Sequence, residues 1–183
     1  MVTSRALAFA AVLAVAAAGA GYAALRAPPP GPLGAAWSET AWPFAIDQWG
    51  RGRAFRCKAV DCGSDIDVYL RAKIGFCNCA GDIDDEEVDR VADFDLVGGE
   101  RAASGVGRPV AVHGMQGRSR RYVLRAHGAK WRSALAIAFH DRCDMVVATV
   151  AIAGEDAGRH EAAVLEFLKG DDVRRWTEAT LGL

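Results

Sequence analysis

Residues 66–76, IDVYLRAKIGF, are the stretch on which the fold turns. Ile66, Val68, Leu70, Ala72, Ile74 and Phe76 alternate with Asp67, Tyr69, Arg71 and Lys73, and Asp65 precedes them in the same polar phase. A period of two predicts a strand with one face in a core and the other in water. Carried further, that phase places Cys77 and Cys79 of the following GFCNC on the polar side, unless Gly75 introduces a bulge that switches it.

On either side of this strand the pattern changes. Arg53 to Val60 upstream is a second strand candidate. Downstream, residues 81–100 read GDIDDEEVDRVADFDLVGGE, with Asp84 followed three residues later by Glu87 and then by an apolar stripe of Val88, Val91 and Ala92. That is the signature of a capped helix with acids in its first turn, where the helix dipole favours negative charge. Gly98 and Gly99 close the unit.

Two hairpins are expected next. The first runs from Pro109–His113 through a turn at Met115–Arg118 into Arg121–Arg125. In the second, Leu135, Ile137 and Phe139 alternate, His140-Asp141-Arg142 turns, and Met145–Ala153 follows as a continuous apolar strand. The chain ends in helix, with Ala162, Val164, Leu165 and Leu168 in one segment, a break at Gly170, and a last turn from Asp171 carrying Val173 and Trp176. Antiparallel strands with one helix between them and C-terminal helices packed on the sheet define an α+β domain.

The N-terminal end carries a different message. Met1–Arg5 is weakly basic, and residues 6–25, ALAFAAVLAVAAAGAGYAAL, carry no charge, which is the pattern of a signal peptide or an N-terminal membrane anchor over residues 1–25. Residues 26–36 form a Pro-rich linker, in which stacked prolines favour an extended spacer. A single exported domain is then expected over residues 37–183, in the periplasm or on the periplasmic side of the inner membrane. Residues 37–49, WSETAWPFAIDQW, hold three of the five tryptophans and are expected to form an irregular arm that lays its rings on that domain. The net charge of -1, with acids and bases interspersed, gives no electrostatic case for nucleic acid.

All five cysteines follow the leader, and in an oxidising compartment paired cysteines become structural bridges. Cys57, Cys62, Cys77 and Cys79 are the disulfide candidates. Cys77 and Cys79 are too close to bridge each other without strain, so two bridges joining them to Cys57 and Cys62 are expected, with Cys143 left over. A second reading makes Cys77 and Cys79 a clip for copper or zinc, completed by Cys57 and Cys62 or by His113, His127 and His140. No Cys-x-x-Cys pair is present, which removes the zinc-finger spacings and weakens a third reading as a thiol-disulfide oxidoreductase.

Other constellations have simpler accounts. Asp82, Asp84, Asp85, Glu86 and Glu87 lack the alternation of a calcium loop and suit a helix start. His140-Asp141-Arg142-Cys143 has the residue types of a nucleophile and base but sits where a turn is expected. Arg118, Arg120, Arg121, Lys130 and Arg132 form a basic stretch that reads as a solvated face. No Ser-His-Asp order, phosphate-binding glycine loop or His-Glu-x-x-His motif occurs, so no cofactor and no reaction is implied.

The runs DQWGRGRAFRCKAVDCGSDIDVYLRAKIGFCNC and AIAFHDRCDMVVATV, with the ending RRWTEATLGL, resemble a group of small exported proteins of alphaproteobacteria. That likeness implies export and carries no activity with it. The order of strands and closing helices is also similar to the α-β-α sandwich of PsbP- and Mog1-like proteins, which bears on fold alone. The sequence therefore points to a disulfide-stabilised envelope protein that binds or supports a partner protein.

Overall fold

The computed structural model describes residues 36–75, 82–98, 100–125 and 130–183, all within one compact unit, Pro32–Leu183. The leader and most of the linker lie outside the described residues, as do Cys77, Cys79 and His127.

Eight strands form one antiparallel sheet: β1 (Trp37–Thr40), β2 (Arg53–Cys57), β3 (Ile66–Lys73), β4 (Glu100–Ala103), β5 (Arg108–Val112), β6 (Met115–Arg125), β7 (Ser133–Asp141) and β8 (Asp144–Ile152). Their order is β1-β2-β3-β8-β7-β6-β4, and β5 shares with β4 the outer edge of the long β6. Five helices accompany them: α1 (Ala59–Cys62), α2 (Asp85–Val91), α3 (Phe94–Val97), α4 (Glu161–Leu168) and α5 (Asp171–Leu181). The α+β class expected from the patterning is the class observed.

Both faces of the sheet are covered. On one, Ile66, Val68 and Leu70 of β3 meet Leu135, Ile137 and Phe139 of β7 and Val146, Ala148, Val150 and Ile152 of β8, under Val164 and Leu168 of α4 and Val173 of α5. On the other, Ala134, Ala136, Ala138, Met145 and Val147 lie beneath Val88 and Val91 of α2 and Phe94 of α3. The alternation of Ala with Leu, Ile and Phe along β7 sorts small residues to the α2 face, where short side chains let the helix approach. Burial on both sides is why β8 reads as an unbroken apolar run.

Local chemistry sets the ends of these elements. Asp84 is the N-cap of α2 and accepts from the Glu87 N–H at 2.7 Å, as its spacing predicts. The Glu87 carboxylate turns instead to Arg90, one turn on. The first hairpin turns at His113-Gly114, two residues earlier than the sequence suggests, because Met115 already pairs with Val112. The expected Arg53–Val60 strand stops at Cys57, where α1 begins a tight return to β3. Part of the arm, Trp37–Thr40, is regular after all: it pairs with Ala54–Cys57 as the edge strand β1. No helix among the described residues is long and apolar enough to cross a membrane.

Truncation and enlargement should show the contrast between the two faces. Leu135→Ala should cost about 2–5 kcal/mol through the cavity it leaves. Ala136→Leu, its neighbour on the α2 face, should cost about 1–3 kcal/mol through overpacking. Urea denaturation of the two variants checks both, and an unchanged midpoint for Ala136→Leu would contradict the tight fit of α2.

Candidate functional site

Cys57 and Cys62 are bonded to each other, with Cα atoms 6.0 Å apart, across the turn made by α1. This corrects the expectation that they reach across to Cys77 and Cys79. A bend from strand to helix brings residues five apart to bridging distance, so the local closure is available before any long-range one. Cys143, expected to be the odd cysteine, is also disulfide-bonded.

The bridge is built for stability. Cys57 is fully buried in the apolar core beside Ile66 and Val68, so the thiolate released on reduction would sit in surroundings that oppose its charge. A hollow of about 270 Å³ opens beside Cys62, lined also by Ser64, Gly154 and His160. There, burial and the neighbouring Arg159 hold the His160 imidazole below its ordinary pKa. As bridged sulfurs, Cys57 and Cys62 offer no thiolate to a metal. His113 and His140 do come together, at a second hollow that also holds Met115, Asp82 and Asp141. His113 Nε2 donates to the Leu168 carbonyl at 2.8 Å, and His140 Nδ1 donates to the Arg142 carbonyl at 3.1 Å. Among the described residues, no group of three or more His, Cys, Asp or Glu side chains is placed to hold a metal.

The larger departure from the sequence reading is on β3. Its polar face was expected in water, yet Asp67, Tyr69, Arg71 and Lys73 are all buried, Arg71 to 1% exposure. The arm and the α2–α3 junction cover them. Asp67 takes a bidentate pair from Arg56, at 2.6 and 2.7 Å, and the Tyr69 hydroxyl donates to it. Burial, and then the Asp67 charge, push the Tyr69 phenol above its ordinary pKa. Arg71 Nη1 donates to Asp47 of the arm at 2.7 Å, and its Nε lies 3.7 Å from Asp93, between α2 and α3. Lys73 donates to the same Asp93 at 2.9 Å. Asp93 is held in turn by its own N–H, which donates to Thr149 on β8.

Rings complete this clasp. The Arg71 guanidinium lies 4.9 Å from the Trp42 ring centroid, and the Lys73 ammonium lies 5.2 Å from that of Trp49. Trp42 and Phe44 pack edge-on against Tyr69. Gly52 permits this approach, since a Cβ there would overlap the Leu70 carbonyl and come within 2.6 Å of the Trp42 ring. The accounting is incomplete, however. Arg71 Nε and Nη2 and Trp42 Nε1 are buried donors with no hydrogen-bond acceptor among the described residues. An unmet buried donor costs about 1–3 kcal/mol, so three together mark an unusual place.

The opposite side carries a groove of about 520 Å³, where β1 and β2 meet the α4–α5 junction. Its floor is aromatic: Trp37 stacks on Phe167 at 4.4 Å, and Phe55 meets Phe167 edge-on at 4.9 Å. Arg53 spans it, paired with Glu39 through two hydrogen bonds of 2.8 and 2.5 Å and reaching the Asp172 carbonyl. The lining holds four acids, each ion-paired: Glu39 with Arg53, Asp172 with Arg175, Glu166 with Lys169 and Asp171 with Arg174. Trp37 was seen in the sequence only as part of an apolar arm, and Phe167 was not singled out. Only the strand pairing of residues 37–40 could have placed those two rings together.

The remaining charged clusters are structural. Asp85 accepts from the Gly107 N–H and pairs with Arg118, while Asp89 takes Arg120 at 2.9 Å and the Tyr122 hydroxyl at 2.6 Å. Asp85 at the helix start and Asp89 one turn on thus neutralise Arg118 and Arg120, two of the five bases of the basic stretch. Lys130 pairs with Asp65. Comparison of the chain with protein-family models, curated proteins and solved structures finds no significant match.

Two measurements test this account. Two disulfides use four of the five cysteines, so denatured, unreduced protein should titrate one thiol per chain. Replacing Cys57 and Cys62 together by Ala should cost about 2 kcal/mol, as expected for a short closed loop. Three or five titratable thiols would overturn the assignment. The second concerns acid. Burial raises the Asp47 carboxyl, but the Trp49 N–H and Arg71 outweigh it and hold its pKa below the ordinary value. The stabilisation from this carboxylate is present above about pH 4 and lost as pH falls through the depressed folded value. Tryptophan emission should report release of the Asp47–Gly50 turn, which carries Trp49, on acidification below about pH 4, and Asp47→Asn should show it already at neutral pH.

Proposed function

We propose that this chain is an exported, disulfide-stabilised envelope protein that binds an extended segment of a partner protein at the β1 edge. The observation that carries the reading is the conjunction at that edge. The outer side of β1 pairs with no described strand, so its backbone donors and acceptors are available to an added strand. Ser38, Glu39 and Thr40 are exposed, and the aromatic groove opens immediately alongside. A sheet edge supplies affinity through main-chain hydrogen bonds, and an adjoining pocket supplies selectivity through one side chain. The Asp171 and Asp172 carboxylates, each more than three-quarters exposed at the rim, favour a segment carrying Lys or Arg, with an apolar residue to seat on Trp37 and Phe167. Export is supported by the charge-free leader together with two disulfides, which belong to oxidising compartments.

Among the described residues, no catalytic grouping competes with this reading. The His140-Asp141-Arg142-Cys143 run is a hairpin turn in which Cys143 is bonded and Arg142 takes a left-handed backbone. The copper or zinc alternative loses Cys57 and Cys62 to their mutual bridge, and the redox alternative meets a buried, apolar Cys57.

Fluorescence anisotropy with a labelled peptide of alternating Lys and Val, and with its Glu-Val counterpart, tests the groove. The basic peptide should bind, weaken with salt, and lose about tenfold in affinity on Trp37→Ala, as removal of an aromatic anchor does. Charge reversal at Asp171 and Asp172 should invert the preference. Equal binding of the two peptides, or indifference to Trp37→Ala, would refute the site. Recovery of the native chain in the cytosol with reduced thiols would refute export.

A further inference from the structure

We propose that Arg71 is the centre of a second binding site, for a monocarboxylate, and that Asp47 of the arm occupies it as a built-in competitor. This inference is independent of the β1 groove, which lies on the other face of the sheet.

Arg71 is 1% exposed, yet uses only Nη1 in a hydrogen bond, to Asp47 at 2.7 Å. Its Nε is too far from Asp93 for a hydrogen bond, and Nη2 has no acceptor among the described residues. Beside it, Trp42 Nε1 is a third buried donor without an acceptor. A guanidinium is a planar fork that matches a carboxylate through two parallel N–H bonds. Asp47 satisfies one tine and leaves the nitrogens Nε and Nη2 idle. The site is therefore occupied by a ligand-like group in a geometry that a free carboxylate could improve.

Charge selects the class of ligand. Besides Asp47, the carboxylate paired with Arg71 and Lys73 among the described residues is Asp93, so withdrawal of Asp47 leaves two cations beside one carboxylate. A monoanion neutralises this, whereas a phosphate dianion would leave excess negative charge beside the Asp93 carboxylate. The rings of Trp42, Phe44 and Tyr69 line the same place and favour an acid with an apolar or aromatic body.

The arm is suited to act as the cover. Residues 45–48 are exposed, and Asp47 itself keeps 38% of its side chain in solvent. The contacts that fasten the arm to β3 are side-chain ones: Trp42 and Phe44 on Tyr69, Asp47 on Arg71 and Trp49 on Lys73. Its internal backbone bonding is local, from the Gly50 N–H to the Asp47 carbonyl. Displacing Asp47 thus breaks no sheet pairing.

The test is a tryptophan-fluorescence titration of the full chain at constant ionic strength with benzoate, acetate, phosphate and chloride. Wild type, Asp47→Asn and Arg71→Met are compared, with urea melting of each to show that it is folded. Benzoate should give a saturable change in wild type and bind about tenfold tighter to Asp47→Asn, because the internal competitor is gone. Arg71→Met should abolish the response, and Arg71→Lys, which keeps the charge but not the fork, should weaken it in a chain that folds more readily. Phosphate or chloride matching benzoate would overturn the carboxylate assignment. No gain in Asp47→Asn, with or without loss of stability, would reduce the arrangement to a structural clasp and overturn the proposal.

Discussion

The burial of Arg71 and Lys73 side by side on β3 constrains everything packed on that face of the sheet. Removing an ion from water costs several kcal/mol even after relaxation, and the cost is met only by well-placed opposite charge and hydrogen bonds. Two adjacent cations make the demand more severe. Asp93 answers for both, at 2.9 Å from Lys73 and 3.7 Å from Arg71, and this fixes where α2 must end and α3 begin. Asp47 answers for the remainder and draws the arm down over the sheet. The layer of helices and the arm therefore meet at a seam set by electrostatics, while apolar packing holds each of them on either side of it.

The opposite face follows simpler rules. Leu, Ile, Val and Phe from β3, β7 and β8 form a continuous apolar floor, and α4 and α5 close it with Val164, Leu168 and Val173. Burial of that kind is non-directional, so it positions helices without specifying a particular partner for each residue. Specific chemistry is accordingly found at its margin, where β1 ends the sheet and Trp37 and Phe167 are incompletely covered over the buried Phe55. The two candidate sites differ for this reason: one is an aromatic margin with an ion-paired rim, the other a cationic fork covered by the Trp42–Trp49 arm.

Much of the fold was legible because single-residue periodicity carries it. β3, β7 and β8, the Asp84 cap and the break at Gly170 all announce themselves through spacing of two, spacing of three to four, or a helix breaker. What escaped was whatever depends on a second layer. The alternation in 66–76 locates a strand and its two faces, but cannot say whether the polar face meets water or another element. Asp67, Arg71 and Lys73 read as solvated until Asp47 and Asp93, separated from Arg71 by about 20 residues on either side, are placed against them. β1 escaped because WSET is too short to show a period and is followed by Pro43. The cysteine pairing escaped because a four-residue helix between Cys57 and Cys62 has no sequence signal strong enough to reveal the local bend that brings them together.

That local bridge also changes how the β2–β3 connection should be understood. A cross-link from Cys57 or Cys62 to the end of β3 would have pinned two strands that already pair along five residues, and would have added little to their register. The observed bridge instead stiffens the return itself. Cys57 is the last residue of β2 and Cys62 the last of α1, and the Gly63 that follows takes the left-handed conformation that ends the helix. The Ala59 N–H is meanwhile held by Asp65 at 3.0 Å, from the far side of the same turn. With both ends of the return fixed, the phase of β3 against β2 is set at its first pair, Cys57 with Ile66. Because side chains alternate, a slip of one residue there would exchange Ile66, Val68 and Leu70 for Asp67, Tyr69 and Arg71 across the sheet. The disulfide thus acts on the same choice that the charged clasp depends on, which of the two faces of β3 receives the guanidinium.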